Sequence, residues 1–270
     1  FDLEDALSNQ KEYMCSADLK EFVEKYHLNL SQDGTFNPRD IFGSHDDSDH
    51  VYNTPRAWYM ARCLNPSTMN WDGPDADFTP LSDDIPWCMV PEKKVTIEDV
   101  KYVLSSHFQG TPYDSYASYG DKSMKGAYRA IGVNRTDFLG IIQMRPDAEE
   151  DNRVIEWVAF ASNVFNTAAP FYTDVEKVPE YFANTTGDAS TDNFYWASRM
   201  IAAMADASYS KSIFHIERYQ ERVMSKGHEY INQYDELLSK ESNAEKRMQL
   251  RQEANQKIAD MVKKETQDTL

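Results

Sequence analysis

Residues 131–172 read IGVNRTDFLGIIQMRPDAEEDNRVIEWVAFASNVFNTAAPFY. Two apolar runs, about 137–145 and about 153–162, flank the turn-forming PDAEEDN, which is the pattern of a β-hairpin. The runs are apolar at nearly every position: Phe138, Leu139, Ile141, Ile142 and Met144, then Val154, Ile155, Trp157, Val158 and Phe160. Strands apolar on both faces are covered on both faces, so the hairpin is expected inside a layered structure. Two antiparallel strands do not make a stable buried sheet by themselves. Their partners are therefore expected on another chain or on an upstream segment. Polar residues stand where the runs meet their loops: Asn134, Arg135 and Thr136 before the first, Ser162, Asn163 and Asn166 after the second. Such groups are good donors to a developing oxyanion or a substrate carboxylate. Ordinary hydrogen bonding within turns is the competing explanation.

Around the hairpin the periodicity is helical. Residues 16–28 place Leu19, Phe22, Val23 and Tyr26 on one face behind Ser16, a candidate N-cap. Thr54 followed by Pro55 opens a helix that stops before Pro66. Thr96 with Asp99 three residues on resembles a capping box, ahead of a stripe of Val100, Val103, Leu104 and Phe108 that Gly110 ends. Ser190 or Thr191 caps a helix over the following residues. Residues 212–240 and 242–266 are long helices, whose apolar residues are read as packing or self-association. Residues 65–92 are a proline-rich loop that Trp71, Phe78, Ile85 and Trp87 are expected to pin down. The fold class is α+β: 1–136 helices and long loops, 137–172 a core hairpin, 190–270 helical.

The chain has 270 residues, of which 41% are hydrophobic and 13% aromatic, enough for a packed core and too aromatic for a disordered chain. A net charge of −17 repels phosphate backbones and anionic membranes, and no basic patch counters it. No nucleic-acid or membrane partner is expected. Cys15, Cys63 and Cys88 are odd in number and lack metal-ligand spacing, which suits a reduced, cytoplasmic chain.

Other chemistries find little support. There is no glycine-rich phosphate loop, no His-Glu-x-x-His and no Cys-x-x-Cys. His45, Asp46, Asp47, Asp49 and His50 are read as a solvated acidic loop in preference to a metal site, and residues 72–77 as a turn. Each cysteine is read as structural, with Cys15 the least ordinary because it precedes a helix N-terminus. No metal and no cofactor is implied.

Longer strings add a resemblance. IFGSHDDSDHVYNTPRAWYMARCLNP, WDGPDADFTPLSDDIPW, VLSSHFQGTPYDSY, YRAIGVNRT, WVAFASNVFNTAAPFY and STDNFYWASRMIAAMADA resemble the later half of the bacterial dipeptidase A family, from about residue 13 to about residue 235. These are N-terminal-nucleophile cysteine peptidases, related to secernins and more remotely to penicillin V acylase and bile salt hydrolase. The resemblance implies an αββα sandwich in the complete protein, of which this chain is the downstream part followed by C-terminal helices. It implies an N-terminal Cys whose thiol attacks a dipeptide and whose α-amine is the base. This chain begins with Phe1, so the nucleophile is expected on an upstream part of the same polypeptide. No internal cysteine can replace it, since none has a free α-amine, and the chain alone is expected to be inactive. Distant acylases carry an arginine near the nucleophile. Arg135 is the candidate for that place, with Arg129 second. Asn134 and Thr136 would line the cleft, and Ser162, Asn163 and Asn166 would contact substrate. The terminal helices are expected to support a homo-oligomer. An amidase of the penicillin V acylase type and a non-catalytic helical interaction module are the alternatives.

Overall fold

The computed structural model describes residues 3–9, 11–30, 36–44 and 46–270. The chain divides into two compact units, Phe1–Glu92 and Lys93–Leu270.

The first unit is built from short helices: α1 (Leu3–Ser8), α2 (Leu19–Lys25), α3 (Pro38–Phe42), α4 (Asp49–Tyr52) and α5 (Thr54–Leu64). Of the face expected on α2 only Val23 is fully buried, while Phe22 and Tyr26 are exposed. Asp18, not Ser16, occupies its N-cap. On α5 Thr54 is already helical and Asn53 takes the cap position. The proline-rich stretch is pinned as expected. The Trp58 indole donates to Phe78 O (3.1 Å), the Trp71 indole to Asn65 O (2.8 Å) and the Asn65 amide to Val90 O (2.6 Å). Trp87 departs from the expectation, remaining 44% exposed.

The second unit opens with α6 (Ile97–Leu104). Thr96 Oγ1 accepts from Asp99 N (3.1 Å) and Asp99 Oδ2 from Thr96 N (3.0 Å), so the capping box forms with Asp in the Glu position. The helix stops at Leu104, short of Gly110. Phe108 lies beyond it with φ 65° and is buried from a turn.

The hairpin forms in the expected place. Strands β1 (Phe138–Met144) and β2 (Val154–Phe160) pair antiparallel, with Phe138 opposite Phe160 and Met144 opposite Val154. A third strand, β3 (Ala169–Tyr172), pairs antiparallel with β2 and gives the order β1-β2-β3. This corrects the expectation that every partner lies off the chain. Four residues with Pro170 in the run give a weak strand signal, and proline is tolerated here at a sheet edge.

One sheet face carries Ile141, Ile155, Trp157, Ala159 and Tyr172, all buried. The other face is open along β1, where Phe138, Ile142 and Met144 are 54%, 58% and 63% exposed. On that same face Phe160 meets Phe182 and Phe194, and Phe171 meets Phe182, so among the described residues the second face is covered in part and open along β1.

The cover comes from α8 (Phe194–Ala207), α9 (Tyr209–Leu238) and α10 (Ala244–Thr269), after the single turn α7 (Glu180–Ala183). The α8 cap is Asn193, which accepts from Trp196 N (2.9 Å), in place of Ser190 or Thr191. Helices α9 and α10 fold back on each other as an antiparallel pair. Ile216, Tyr219, Val223, Ile231, Tyr234 and Leu238 form the buried stripe of α9. Of the two roles read for these residues, packing within the chain is what the structure contains. At Gly227 a Cβ would fall 2.6 Å from Pro170 Cδ, so α9 lies directly on β3 because that position is glycine. Asn255 of α10 pairs with the Tyr172 backbone, accepting from its N–H and donating to its carbonyl, both at 2.9 Å.

The hairpin turn is clamped by charge. Arg247 and Arg251, both buried on α10, donate to Asp151 at 2.6–2.7 Å, and Arg251 also reaches Asp174 at 2.9 Å. These guanidiniums, Arg247 first, hold the Asp151 carboxyl down at about 2. Among the described residues no helix is long and apolar enough to cross a membrane.

Candidate active site

The residues singled out in sequence gather at one end of the sheet, opposite the hairpin turn. Register dictates this, because the start of β1 stands opposite the end of β2, and Ala161 N donates to Asp137 O (3.0 Å). Residues 131–136 approach that end and residues 161–166 leave it.

On the approach, Asn134 and Arg135 are exposed and Thr136 is half-buried. Arg199 of α8 fixes this stretch by donating to Asn134 O (2.8 Å) and pairing with Asp137. Among the described residues the Arg135 guanidinium has no hydrogen-bond or ion-pair partner, which leaves it available to an anionic group. Arg129, the second candidate, is half-buried further upstream.

On the departure, Ser162, Asn163 and Asn166 are buried. Ala161 has φ 65°, a left-handed conformation that costs a residue with a Cβ roughly 1–2 kcal/mol. Asn166 holds it there, donating from Nδ2 to Phe160 O (2.8 Å) and Ala161 O (3.0 Å). Asn163 Nδ2 donates to Leu104 O (3.2 Å). Gln220 of α9 donates to Val164 O (3.0 Å) and Asn166 O (2.8 Å). The amide donors of Asn163 and Asn166 thus shape the loop.

Three segments meet behind this loop. Lys101, buried on α6, donates from Nζ to Ser105 Oγ (2.6 Å) and Asn163 O (2.7 Å). Burial pushes its ammonium down to about 7, against the two acceptors, which favour the charged form. Gly132 N donates to Ser106 O (2.8 Å). A Cβ on Gly132 would stand 2.4 Å from Ser105 O and 3.0 Å from Val164 Cγ2, so the close approach requires glycine.

Deeper still, His107 Nδ1 lies 2.7 Å from Asp114 Oδ1 and its Nε2 lies 3.2 Å from the Tyr209 hydroxyl. Tyr209 stacks on Tyr116 at 4.0 Å, and the Tyr116 hydroxyl donates to Asp206. Burial pushes the Tyr209 hydroxyl up to about 12. Both imidazole nitrogens are thus engaged by side chains of this unit. The His–Asp pair supports Phe165, whose ring meets Tyr116 and Tyr209 edge-on.

Burial pushes the Cys63 thiol up, away from thiolate. Cys15 donates weakly to Ala6 O at 3.7 Å, Cys88 is exposed, and none is in a disulfide. His45 lies outside the described residues. Its neighbours line a groove of about 870 Å³ in the first unit, where His50 contacts Asp83 (2.8 Å) and Asp46 accepts from Ser48 N (2.8 Å). Among the described residues no cluster of three or more His, Cys, Asp or Glu could hold a metal ion.

The model of peptidase family C69 matches residues 1–222.

The chain belongs to peptidase family C69.

A protein named dipeptidase from Bifidobacterium longum is 53% identical over 242 residues, covering 89% of this chain and 45% of that protein. A probable dipeptidase A from Streptococcus pyogenes is 44% identical over 265 residues, 97% of this chain and 53% of that protein. Dipeptidase A from Lactobacillus helveticus is 33% identical over 270 residues, 100% of this chain and 54% of that protein. The chain thus spans about half the length of the curated relatives it matches.

Lys101 and Gly132 escaped the sequence reading. A signal for Lys101 was present, since it stands with Ile97, Val100 and Leu104 on the apolar side of α6, where a lysine is out of place unless its protons are received.

Proposed function

We propose that the chain is the downstream half of a cysteine dipeptidase, whose attacking thiol belongs to an N-terminal Cys on the upstream half of the same polypeptide. The observation that carries this reading is the alignment of nearly the whole chain with about half of proteins named dipeptidase. The open sheet face supports it. A second sheet laid on Phe138, Ile142 and Met144 would complete an αββα sandwich and bring its own strand ends beside residues 131–136 and 161–166.

In this reading the α-amine of the N-terminal Cys takes the thiol proton while sulfur attacks the carbonyl carbon of the dipeptide. The proton passes to the departing amine, a thioester remains, and water releases the first amino acid and restores the thiol. Arg135 lies near the thiol and faces developing or carboxylate charge. Asn134 and Thr136 line the cleft, and Ser162, Asn163 and Asn166 form its second wall. The protein acts in the cytoplasm, as a homo-oligomer.

The test joins the chain to the portion of the Bifidobacterium longum dipeptidase outside the match, with its Cys exposed at the N-terminus. Hydrolysis of dipeptides, lost on Cys→Ala and exceeding that of penicillin V, is the expected result. No hydrolysis above that of the chain alone sinks the reading, and a preference for penicillin V replaces it with an amidase.

A further inference from the structure

We propose that Lys101 is a positioning residue for peptide hydrolysis: from inside α6 it holds the 161–166 loop in the form the substrate cleft requires. The inference rests on the dipeptidase reading above.

Four observations carry it. Lys101 is buried, and among the described residues no carboxylate pairs with it; its acceptors are Ser105 Oγ (2.6 Å) and Asn163 O (2.7 Å). A buried cation with no counter-ion is costly, and simple packing of α6 would be served better by an apolar side chain of equal length. The bond to Asn163 O spans 62 residues of sequence and is answered by Asn163 Nδ2 donating to Leu104 O (3.2 Å), so helix end and loop are tied in both directions. The loop so held contains Ala161 in its left-handed conformation, which persists only if its surroundings impose it. The Ser105 carbonyl beside the lysine's other acceptor is the atom Gly132 abuts. The same junction therefore sets the path of the chain two residues before Asn134. One buried amine thereby indexes both walls of the proposed cleft.

The test uses the joined polypeptide described above. Lys101→Met keeps the volume and removes the donor, and Ser105→Ala removes one acceptor in case the first variant fails to fold. Two readouts are taken for each folded variant. Amide hydrogen exchange, which needs no substrate, is expected to quicken at residues 162–166. Per folded molecule, kcat for a dipeptide is expected to fall about 10- to 100-fold with KM within about threefold, the loss that misplacement by about 1 Å causes. Smaller effects of the same kind are expected for Ser105→Ala. Unchanged exchange, or quickened exchange with unchanged kcat, overturns the proposal. Failure of the unmutated joined protein to cleave dipeptides instead overturns the functional reading, and the exchange data alone then report whether the lysine holds the loop.

Discussion

Replacing Gly132 by Ala isolates the junction behind the proposed cleft. The added Cβ would lie 2.4 Å from Ser105 O, 2.6 Å from Ser105 C and 3.0 Å from Val164 Cγ2. Two of these atoms are backbone, so no rotamer change relieves the overlap. The segment must withdraw by about 1 Å to reach ordinary contact, and in doing so stretches the 2.8 Å bond from Gly132 N to Ser106 O. Overpacking costs about 1–3 kcal/mol and a weakened hydrogen bond about 0.5–1.5 kcal/mol, so roughly 2–4 kcal/mol is expected. A unit of this size loses roughly 2–4 °C in melting temperature per kcal/mol, which gives a drop of about 5–15 °C. The control is Gly187→Ala, where a Cβ meets nothing within 4 Å and the melting temperature should move by less than about 1 °C. Thermal unfolding followed by circular dichroism measures both. Equal melting temperatures for the two variants would refute the claim that Gly132 is required by close approach.

Asp151→Asn should cost about 1–2 kcal/mol at pH 7, less than the full shift implies because solvent reaches the carboxylate edge. The folded carboxyl is held low, so its stabilisation is present above about pH 4 and disappears as pH falls through about 2; denaturant titrations of both proteins should converge there. Ile142→Arg, on the open sheet face, should leave the melting temperature of this chain within about 1 °C while abolishing its association with a separately produced upstream half; retained association would place that half elsewhere. Iodoacetamide near neutral pH should modify exposed Cys88 well before Cys63, whose thiol burial pushes up, and peptide mass spectrometry reads the order.

What was legible in the sequence was whatever is decided locally. The Thr96–Asp99 box, the β1–β2 hairpin and the two long helices follow from short-range spacing, and each forms where expected. The misses have tertiary causes. Strand β3 is too short and too interrupted by Pro170 to announce itself, and it exists because β2 offers it an edge. Asn193, not Ser190 or Thr191, caps α8, since several suitable residues stood in a row and chain direction chose among them. Strand β1 was read as covered on both faces because its composition is apolar throughout, yet composition does not say where the second cover comes from. The gathering of residues 134–136 with 162–166 follows from hairpin register alone. Lys101 joins them only through a bond spanning 62 residues, and no local pattern encodes that.

The Asn255 carboxamide on the outer side of β3 reproduces the pair of hydrogen bonds that a neighbouring strand would make with Tyr172. A side chain from a helix thus acts as a stopper, closing that flank at this residue to recruitment of a further strand. The flank at β1 carries no such plug among the described residues. Sheet extension in this molecule therefore has a polarity: any strand added, whether from the same polypeptide or from a stray neighbour during misassembly, is directed to the β1 side.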